Sequence, residues 1–206
     1  MRRAKLGDVY SVKVPNGYKL IQWAYHIPKF GSFIRVFDGL YQTTPEDIAT
    51  IVAGPHSYIA DLLVGRAYRI GLLNWLGNYP VPEKYPAPEH QIRFCRDQNN
   101  HIYSIRITKT PIADGLPRQI SFPVSSIDEL PEQYRSVKLL SSNVSPDWLL
   151  YLFDNDFSLH NPDIFSPWIH WGNNWRERYQ VYIDMVEEAM AKNYAGRRKA
   201  KQHNPE

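Results

Sequence analysis

One acidic stretch holds the residues whose types and spacing come closest to a catalytic or metal-binding set. Asp154, Asp156, His160 and Asp163 follow each other over a short distance in the chain. Carboxylates and an imidazole at such spacing can ligate a divalent metal or exchange protons with a substrate during hydrolysis. The spacing does not match an EF-hand loop, and polar residues of this kind are also typical of a helix-to-loop exit. Asp154, Asp156 and His160 therefore define a hydrolase hypothesis, and no metal ligand is assigned.

A second chemistry that the sequence allows is nucleic-acid binding by one predicted hairpin. Arg93, Arg96 and Arg106 are interleaved with Phe94 and Tyr103. Arginines hold phosphates and aromatic rings stack on bases, so this combination on a curved sheet could bind nucleic acid. Strand alternation offers another explanation, in which the aromatic side chains face the core and the arginines face water. The two explanations differ in whether Arg93, Arg96 and Arg106 lie together on one exposed face of the sheet.

Motifs of the common enzyme classes are absent from the sequence. It contains no GxSxG, Walker, GxGxxG or HExxH pattern, and its seven histidines are scattered. The single cysteine, Cys95, excludes an intramolecular disulfide and a cysteine-built zinc site, and its strand-like surroundings favour a small buried side chain. We therefore predict no catalytic residue, no metal and no cofactor, and favour a protein that is not an enzyme.

Composition limits the class of protein further. Hydrophobic residues make up 43% and aromatic residues 14% of the 206 residues, which excludes intrinsic disorder over most of the length. The net charge of +3 is too small to indicate a dedicated nucleic-acid module. The longest apolar run, 148–153, is far below the roughly 20 residues of a membrane span, and no signal peptide is visible. We expect a single cytoplasmic domain over 1–206.

Alternating apolar residues predict the strands that position these side chains. Strands are expected within 8–38, 58–64 and 92–107, with a further strand near 119–124. Asn16-Gly17 is typical of a type I′ hairpin turn. We predict an α+β fold, mostly β, in which a strongly bent antiparallel sheet is covered by a few helices.

Capping residues predict where the helices begin and end. The expected starts are Thr44, Ser145 and Asn174, and the expected ends are Gly54-Pro55 and Gly196. The proline-rich stretch 71–91 predicts extended chain wrapped over a surface. We expect 108–195 to be a helical and irregular extension, packed on a β-rich core of 5–107, and 196–206 to be a frayed tail.

The order of several short motifs resembles the immunity protein 26 family of bacterial polymorphic toxin systems. The likeness covers roughly residues 5–107, through Gly7-Asp8-Val9-Tyr10, Ile34–Asp38, Trp75–Pro82, Pro88 and Phe94. The resemblance implies a non-enzymatic protein that binds and neutralises a cognate toxin, with no catalytic residues to carry over. Independently of it, Gly7 and Gly77 suit backbone positions closed to a side chain, and Asp8 suits an acceptor of hydrogen bonds from a turn.

Stoichiometric binding to a toxin needs exposed anchors, which in protein complexes are often aromatic or arginine side chains. With 6 Trp, 14 Tyr and 8 Phe, the chain has more aromatic rings than a core of this size needs. We therefore select candidate partner-binding residues at strand-edge and loop positions. They are Tyr18, Arg35, Asp38, Asp61 and Tyr79. The predicted partner is a protein toxin, and neither a membrane nor nucleic acid is expected.

Overall fold

Nine strands and four α-helices form the part of the chain that the computed structural model describes, residues 2–27, 31–88, 90–96, 101–107, 119–122, 139–140, 145–155 and 170–203. The strands are β1 (Asp8–Val14), β2 (Gly17–Ile27), β3 (Gly31–Val36), β4 (Tyr58–Asp61), β5 (Leu73–Asn78), β6 (His90–Arg96), β7 (His101–Ile107), β8 (Gln119–Phe122) and β9 (Leu139–Leu140). The helices are α1 (Ile48–Ala53), α2 (Val64–Arg69), α3 (Pro146–Asp154) and α4 (Trp175–His203). The predicted α+β, mostly β class is confirmed.

All nine strands belong to one sheet, in the order β5-β1-β2-β3-β4-β9-β6-β7-β8. Within the group β5-β1-β2-β3-β4 all pairings are antiparallel, and so are those within the group β6-β7-β8. The short strand β9 lies between these two groups and runs parallel to both β4 and β6. The sheet is therefore mixed at this point, because β9 returns from a distant part of the chain rather than through a tight hairpin.

The first hairpin forms where the sequence predicts it, but with another turn. Val14 pairs with Gly17, so Pro15 and Asn16 are the two loop residues. A type I′ turn needs positive φ at both loop residues, whereas proline is fixed near about −65°. The predicted Asn16-Gly17 type I′ turn is therefore wrong. A Cβ on Gly17 would lie 2.5 Å from the carbonyl oxygen of Tyr41, and this close approach explains the glycine.

The N-terminal helices differ in detail from the predicted ones. The N-cap of α1 is Asp47 rather than Thr44, because the Asp47 carboxylate accepts a backbone hydrogen bond from the first turn at 3.0 Å. Gly54 ends α1 as predicted. The strand expected over 58–64 stops at Asp61, and the chain then turns into α2.

The two C-terminal helices begin where the capping residues predict. Ser145 precedes α3, and Asn174 precedes α4. However, α4 does not end near Gly196, because its backbone stays helical to His203. A glycine costs about 1 kcal/mol in a helix, but the residues that follow it are mainly Arg, Lys, Ala and Gln, which favour the helix. The predicted end of the helix near Gly196 is therefore wrong, whereas the frayed tail at 196–206 stays a prediction.

The proline-rich stretch contains a strand that was not predicted. Leu73–Asn78 forms β5, and the prolines begin only at Pro80. Beyond β5, residues 79–88 form no regular element and pack against the sheet, as expected for extended chain. The hydroxyl of Tyr25 donates a hydrogen bond to the carbonyl of Tyr85 at 2.7 Å and so fixes this segment to β2.

The two faces of the sheet carry separate hydrophobic clusters. One cluster, on what we call the α3–α4 face, joins strand residues to α2, α3 and α4. Its buried members include Tyr10, Val12, Ile21, Ile34, Val36, Leu150, Tyr151 and Tyr182. The other, on the α1 face, joins Val9, Leu20 and Phe37 to Ile48 and Val52 of α1. Neighbouring residues of a strand point to opposite faces, so Val9 and Tyr10 belong to different clusters.

Candidate protein-binding site at the sheet edge

β5 is the outermost strand at one end of the sheet, and Trp75 lies near its middle. One side of β5 pairs with β1, and no strand in the described ranges pairs with the other side. Trp75 is 41% exposed, and Leu6, just before β1, is 52% exposed. The edge of the sheet therefore presents two large apolar side chains to solvent. We call Arg2, Leu6, Trp75 and Asn78, which surround Asp8, the β5 edge site.

A fully buried carboxylate organises the β5 edge site. Asp8 accepts two hydrogen bonds from the Arg2 guanidinium, both at 2.7 Å. Four further donors lie within 2.7–3.3 Å of its oxygens: Lys5 N, Tyr10 Oη, Trp75 Nε1 and Asn78 Nδ2. The bond from Lys5 is the turn interaction that the sequence predicts for Asp8. A buried charge is stable when it is paired and its remaining lone pairs are satisfied, and Asp8 meets both conditions.

The pKa values of these groups follow from this arrangement. Burial by itself would raise the pKa of the Asp8 carboxyl, but the hydrogen bonds from Arg2, Asn78, Lys5 and Tyr10 outweigh burial and lower the pKa to about 2. Burial, followed by the charge of Asp8, raises the pKa of Tyr10 above its ordinary value. Asp8 is therefore ionised at neutral pH, and Tyr10 remains a hydrogen-bond donor.

Trp75 is exposed but makes two contacts that hold its ring in place. The Arg2 guanidinium carbon lies 4.3 Å from the centroid of its ring, and both side chains also bind Asp8. Trp and Arg are enriched among the residues that dominate protein–protein binding, and side chains fixed in advance lose little conformational freedom on binding. The Arg2–Trp75 pair is therefore suited to contact another protein.

The rim of the β5 edge site is positively charged. Arg3 and Lys5 are exposed next to Leu6, whereas the charge of Arg2 is balanced by Asp8. An apolar centre with a charged rim is the usual composition of a protein–protein interface. The rim also favours a partner with a negatively charged surface, because complementary charges speed encounter.

The partner-binding residues predicted from the sequence are not members of the β5 edge site. Tyr18 is partly buried and forms a two-bond bridge with the backbone of Tyr41, whose hydroxyl donates to the carbonyl of Asp38. Asp38 is exposed and accepts a hydrogen bond from Ser57. Asp61, at the end of β4, borders an apolar cavity of about 430 Å³ between α2 and α3. Tyr18 and Asp38 thus meet through Tyr41, whereas Asp61 lies beside another feature.

Tyr79 lies next to the β5 edge site and shapes it through its backbone. Its N–H donates to the carbonyl of Gly7 at 2.9 Å, and its carbonyl accepts from the amide of Gln22 at 2.8 Å. A Cβ on Gly7 would lie 2.7 Å from the Tyr79 carbonyl oxygen, and one on Gly77 would lie 2.6 Å from the Tyr79 ring. The prediction that both glycines occupy positions closed to a side chain is confirmed.

Arg35 corrects one prediction, because it is fully buried and offers no exposed surface. Its guanidinium donates to the side chain of Gln22 and to the carbonyls of Val52 and Gly54, at 2.7–3.0 Å. Its Nε donates to Nδ1 of His56 at 3.2 Å. Burial lowers the pKa of Arg35 from its ordinary value.

Aromatic rings complete the surroundings of Arg35. The guanidinium carbon lies 4.9 Å from the ring centroid of Phe37 and 4.5 Å from that of Tyr85. The carbonyls at the end of α1 and these ring faces replace water around the cation, which is why a charged residue is found inside the α1 face. Arg35 is thus part of the scaffold.

Asp154, from the acidic stretch, has a structural role in the described part of the chain. Its carboxylate accepts hydrogen bonds from the backbone N–H and side-chain amide of Asn16, both at 3.0 Å, and from the hydroxyl of Tyr182 at 2.8 Å. These bonds join the β1–β2 turn to α3 and α4. Asp156 and His160 lie outside the described residues, and so does Asp163. Asp154, one of the three residues of the hydrolase hypothesis, is therefore used to hold the β1–β2 turn to the two C-terminal helices.

The arginines of the second hairpin differ in register. Arg93 pairs with Ser104 and Arg106 with Gln91, so positions 93 and 106 share one face of the sheet. Arg96 lies at an odd number of residues from 93 and therefore at a register position of the opposite face. Strand alternation thus separates the three positions that the nucleic-acid hypothesis requires on one face. Their side chains, like that of Cys95, lie outside the described residues.

The β5 edge site was missed because its signals are weak in sequence. Trp75 belongs to the family-like motif, and Asp8 was expected to accept hydrogen bonds, but nothing local links either residue to Arg2. The alternation of Leu73 and Trp75 ahead of the first proline was a usable strand signal. An exposed Trp in a predicted edge strand could then have indicated a binding surface.

Comparison with known proteins does not assign the chain to a family. No protein-family model, curated protein or solved structure matches the chain. Among the described helices, none is long and apolar enough to cross a membrane. Within the same residues, no group of three or more His, Cys, Asp or Glu side chains could hold a metal ion.

Proposed function

We propose that this protein is a non-enzymatic immunity-type protein, which binds a cognate bacterial toxin domain in the cytoplasm and neutralises it by covering it. The observation that carries the binding part of the proposal is Trp75, an exposed indole held in place by buried Asp8 and by Arg2. The toxin as partner rests on the resemblance of residues 5–107 to the immunity protein 26 family. The β5 edge site is the surface that we assign to the contact.

The site has the features that a tight stoichiometric complex needs. Such complexes bury about 800 Å² on each partner and depend on a few anchors, usually near the centre of the contact. Trp75 and Leu6 supply the apolar centre, and Arg2 supplies a guanidinium with part of its surface exposed. Arg3 and Lys5 lie at the rim, where they favour an acidic surface on the toxin domain. The edge of β5 that no described strand pairs with adds backbone groups that can pair with a strand of the partner.

The proposal is tested by co-expression with the toxin domain encoded by the neighbouring gene. We expect growth to be restored, and the two proteins to co-purify in equal amounts. Leu6→Glu places a charge in the apolar centre without touching the hydrogen bonds of Asp8, and Trp75→Ala removes the anchor. Each should weaken the complex at least about thirtyfold, the loss typical of a central anchor.

Leu63→Glu is the matched control. Leu63 is 63% exposed and lies just before α2, so this change introduces the same charge at an apolar surface position outside the β5 edge site. The control should leave growth and co-purification unchanged. Continued growth arrest with no complex on a sizing column would contradict the immunity proposal. Full protection by Leu6→Glu and Trp75→Ala together would contradict the assigned surface but not the function.

A further inference from the structure

A cavity of about 430 Å³ lies between α2, α3 and the sheet, on residues other than those of the β5 edge site. We call it the α2–α3 cavity. Its wall is mainly aliphatic and includes Val12, Ala67, Leu72, Leu73, Leu149 and Leu150. Sites for small molecules are usually apolar and have volumes of about 300–1,000 Å³. The size and the lining of this cavity are therefore those of a small-molecule site.

The α2–α3 cavity extends from the core to the surface. Val12 of β1 and Leu150 of α3 are fully buried, whereas Arg66 of α2 is exposed. Because Arg66 lines the cavity and is also exposed, the cavity reaches solvent beside this side chain. A molecule inside it would contact apolar groups at the buried end and a cation at the outer end.

The positive charge of Arg66 is available to such a molecule. Its guanidinium has no hydrogen-bond or ion-pair partner among the described residues. The acid in the first turn of α3, Asp147, accepts a hydrogen bond from the hydroxyl of Tyr179 at 2.9 Å and so faces α4. An arginine keeps its charge at physiological pH, and its planar fork matches the two oxygens of a carboxylate.

The other acid at the cavity, Asp61, borders it without directing its carboxylate into it. Along β4, Ala60 belongs to the cluster of the α3–α4 face and Ile59 to a cluster on the opposite face. Alternation places the side chain of Asp61 on the face of Ile59. In agreement, one carboxylate oxygen of Asp61 lies 3.5 Å from the position of a Cβ on Gly31, at the start of β3. This carboxylate therefore does not compete with an anion for Arg66.

The composition and volume of the cavity indicate which anion fits. None of the described residues that line it is aromatic, so an aromatic ligand would find no ring to stack on. At about 30 Å³ for a water-sized group, the cavity holds about 14 non-hydrogen atoms. One guanidinium balances the single charge of a carboxylate, but not the double charge of a phosphate monoester. An aliphatic carboxylate of medium chain length meets these conditions.

We propose that the α2–α3 cavity binds a medium-chain aliphatic carboxylate. The chain lies between α2, α3 and the sheet, with its end near Val12 and Leu150, and the Arg66 guanidinium donates to the carboxylate oxygens. The residues involved are separate from the β5 edge site, so the proposal does not depend on a toxin as partner.

Isothermal titration calorimetry of the full chain with hexanoate, octanoate and decanoate tests burial of the chain. Each added methylene should strengthen binding about fourfold, because it is transferred from water to an apolar wall. Ala67→Leu adds a larger side chain to the wall of the cavity and should weaken binding of octanoate and decanoate at least about tenfold. An affinity that does not rise with chain length would overturn the proposal, and this series needs no variant.

Octanol is the matched neutral ligand that tests the role of Arg66. Arg66→Gln should weaken octanoate at least about tenfold and leave octanol unchanged, since only the carboxylate makes charge-assisted hydrogen bonds. Arg176→Gln removes an exposed guanidinium outside the cavity and should change neither ligand. Equal weakening of octanoate by Arg66→Gln and Arg176→Gln would overturn the proposal, and so would equal weakening of octanoate and octanol by Arg66→Gln. Thermal melts of each variant verify that the fold is retained.

Discussion

Two fully buried charges lie on opposite faces of the same sheet and are stabilised in different ways. Asp8 has a partner of opposite charge, Arg2, whose guanidinium reaches the surface. Arg35 has no carboxylate among its described partners, and three neutral acceptors, an imidazole and two ring faces surround it. The Asp8 network therefore connects the interior to an exposed edge, whereas the Arg35 network is closed. This difference explains why the Asp8 network suits a binding site, whereas the Arg35 network suits a structural role in the scaffold.

The largest expected effect concerns what covers the two faces. The α1 face is covered by a helix close in sequence, but the α3–α4 face depends on residues after position 144. A chain ending at residue 144 loses Leu149, Leu150, Leu152, Phe153 and Tyr182, which are all buried. Each buried side chain contributes about 1.5–3 kcal/mol, and the whole stability of a domain is about 5–15 kcal/mol.

We therefore expect the 1–144 chain to show no cooperative thermal melt by circular dichroism. A chain ending at residue 195 is the control, because it keeps all five of these side chains and should melt cooperatively. A soluble 1–144 chain with a sharp transition would instead show that the α3–α4 face is not needed for folding.

Asp8→Asn should have the next largest effect. The change leaves the Arg2 guanidinium without its counter-charge and turns one acceptor of the network into a donor, which should cost about 3–5 kcal/mol. Urea denaturation measures this loss. Asp184→Asn is the control, since Asp184 is exposed and accepts only a side-chain bond from Gln180 among the described contacts. A loss below about 1 kcal/mol for Asp8→Asn would mean that the network is not a stabilising one.

Arg35→Met should cost less than Asp8→Asn, about 2–3 kcal/mol. No opposite charge is left behind, and the methionine side chain still fills the space between Phe37 and Tyr85. What is lost is the set of hydrogen bonds to Gln22, His56, Val52 and Gly54. Arg35→Lys should be no better, because an ammonium group cannot supply the planar fork that reaches these acceptors. Urea denaturation of both variants checks the order, and a larger loss for Arg35→Met than for Asp8→Asn would reverse the comparison.

The sequence predicts the role of Asp8 better than that of Arg35, and the reasons are physical. The first three strands and the starts of α3 and α4 follow from alternation and capping, which act over a few residues. The burial of Arg35 depends on carbonyls at the end of α1 and on Tyr85, which are far away in the chain, so its position in a strand suggested only an exposed charge. Asp8 was recognisable because one of its donors, Lys5, is local.

Lowering the pH into the acid range should remove the stability that the Asp8 network contributes. The pKa of Asp8 is lowered from 3.8 to about 2, so its folded-state charge contributes stability that is complete above the ordinary pKa and is lost as the pH falls towards 2. A shift of this size corresponds to about 2 kcal/mol. Thermal melts of the protein and of Asp8→Asn should therefore converge as the pH is lowered through this range. Curves that remain parallel down to pH 2 would show that Asp8 is not the group responsible.

The smallest expected effect lies at the acceptor that His56 provides to the Arg35 network. Nδ1 of His56 accepts the hydrogen bond from Arg35 Nε at 3.2 Å. His56→Leu removes this acceptor from a buried guanidinium, so the free energy of unfolding should fall by about 1 kcal/mol. His56→Asn keeps a side-chain carbonyl that can accept the bond, and it should therefore lose less. Urea denaturation of both variants measures the difference, and equal losses would show that the hydrogen bond from Arg35 to His56 does not contribute to stability.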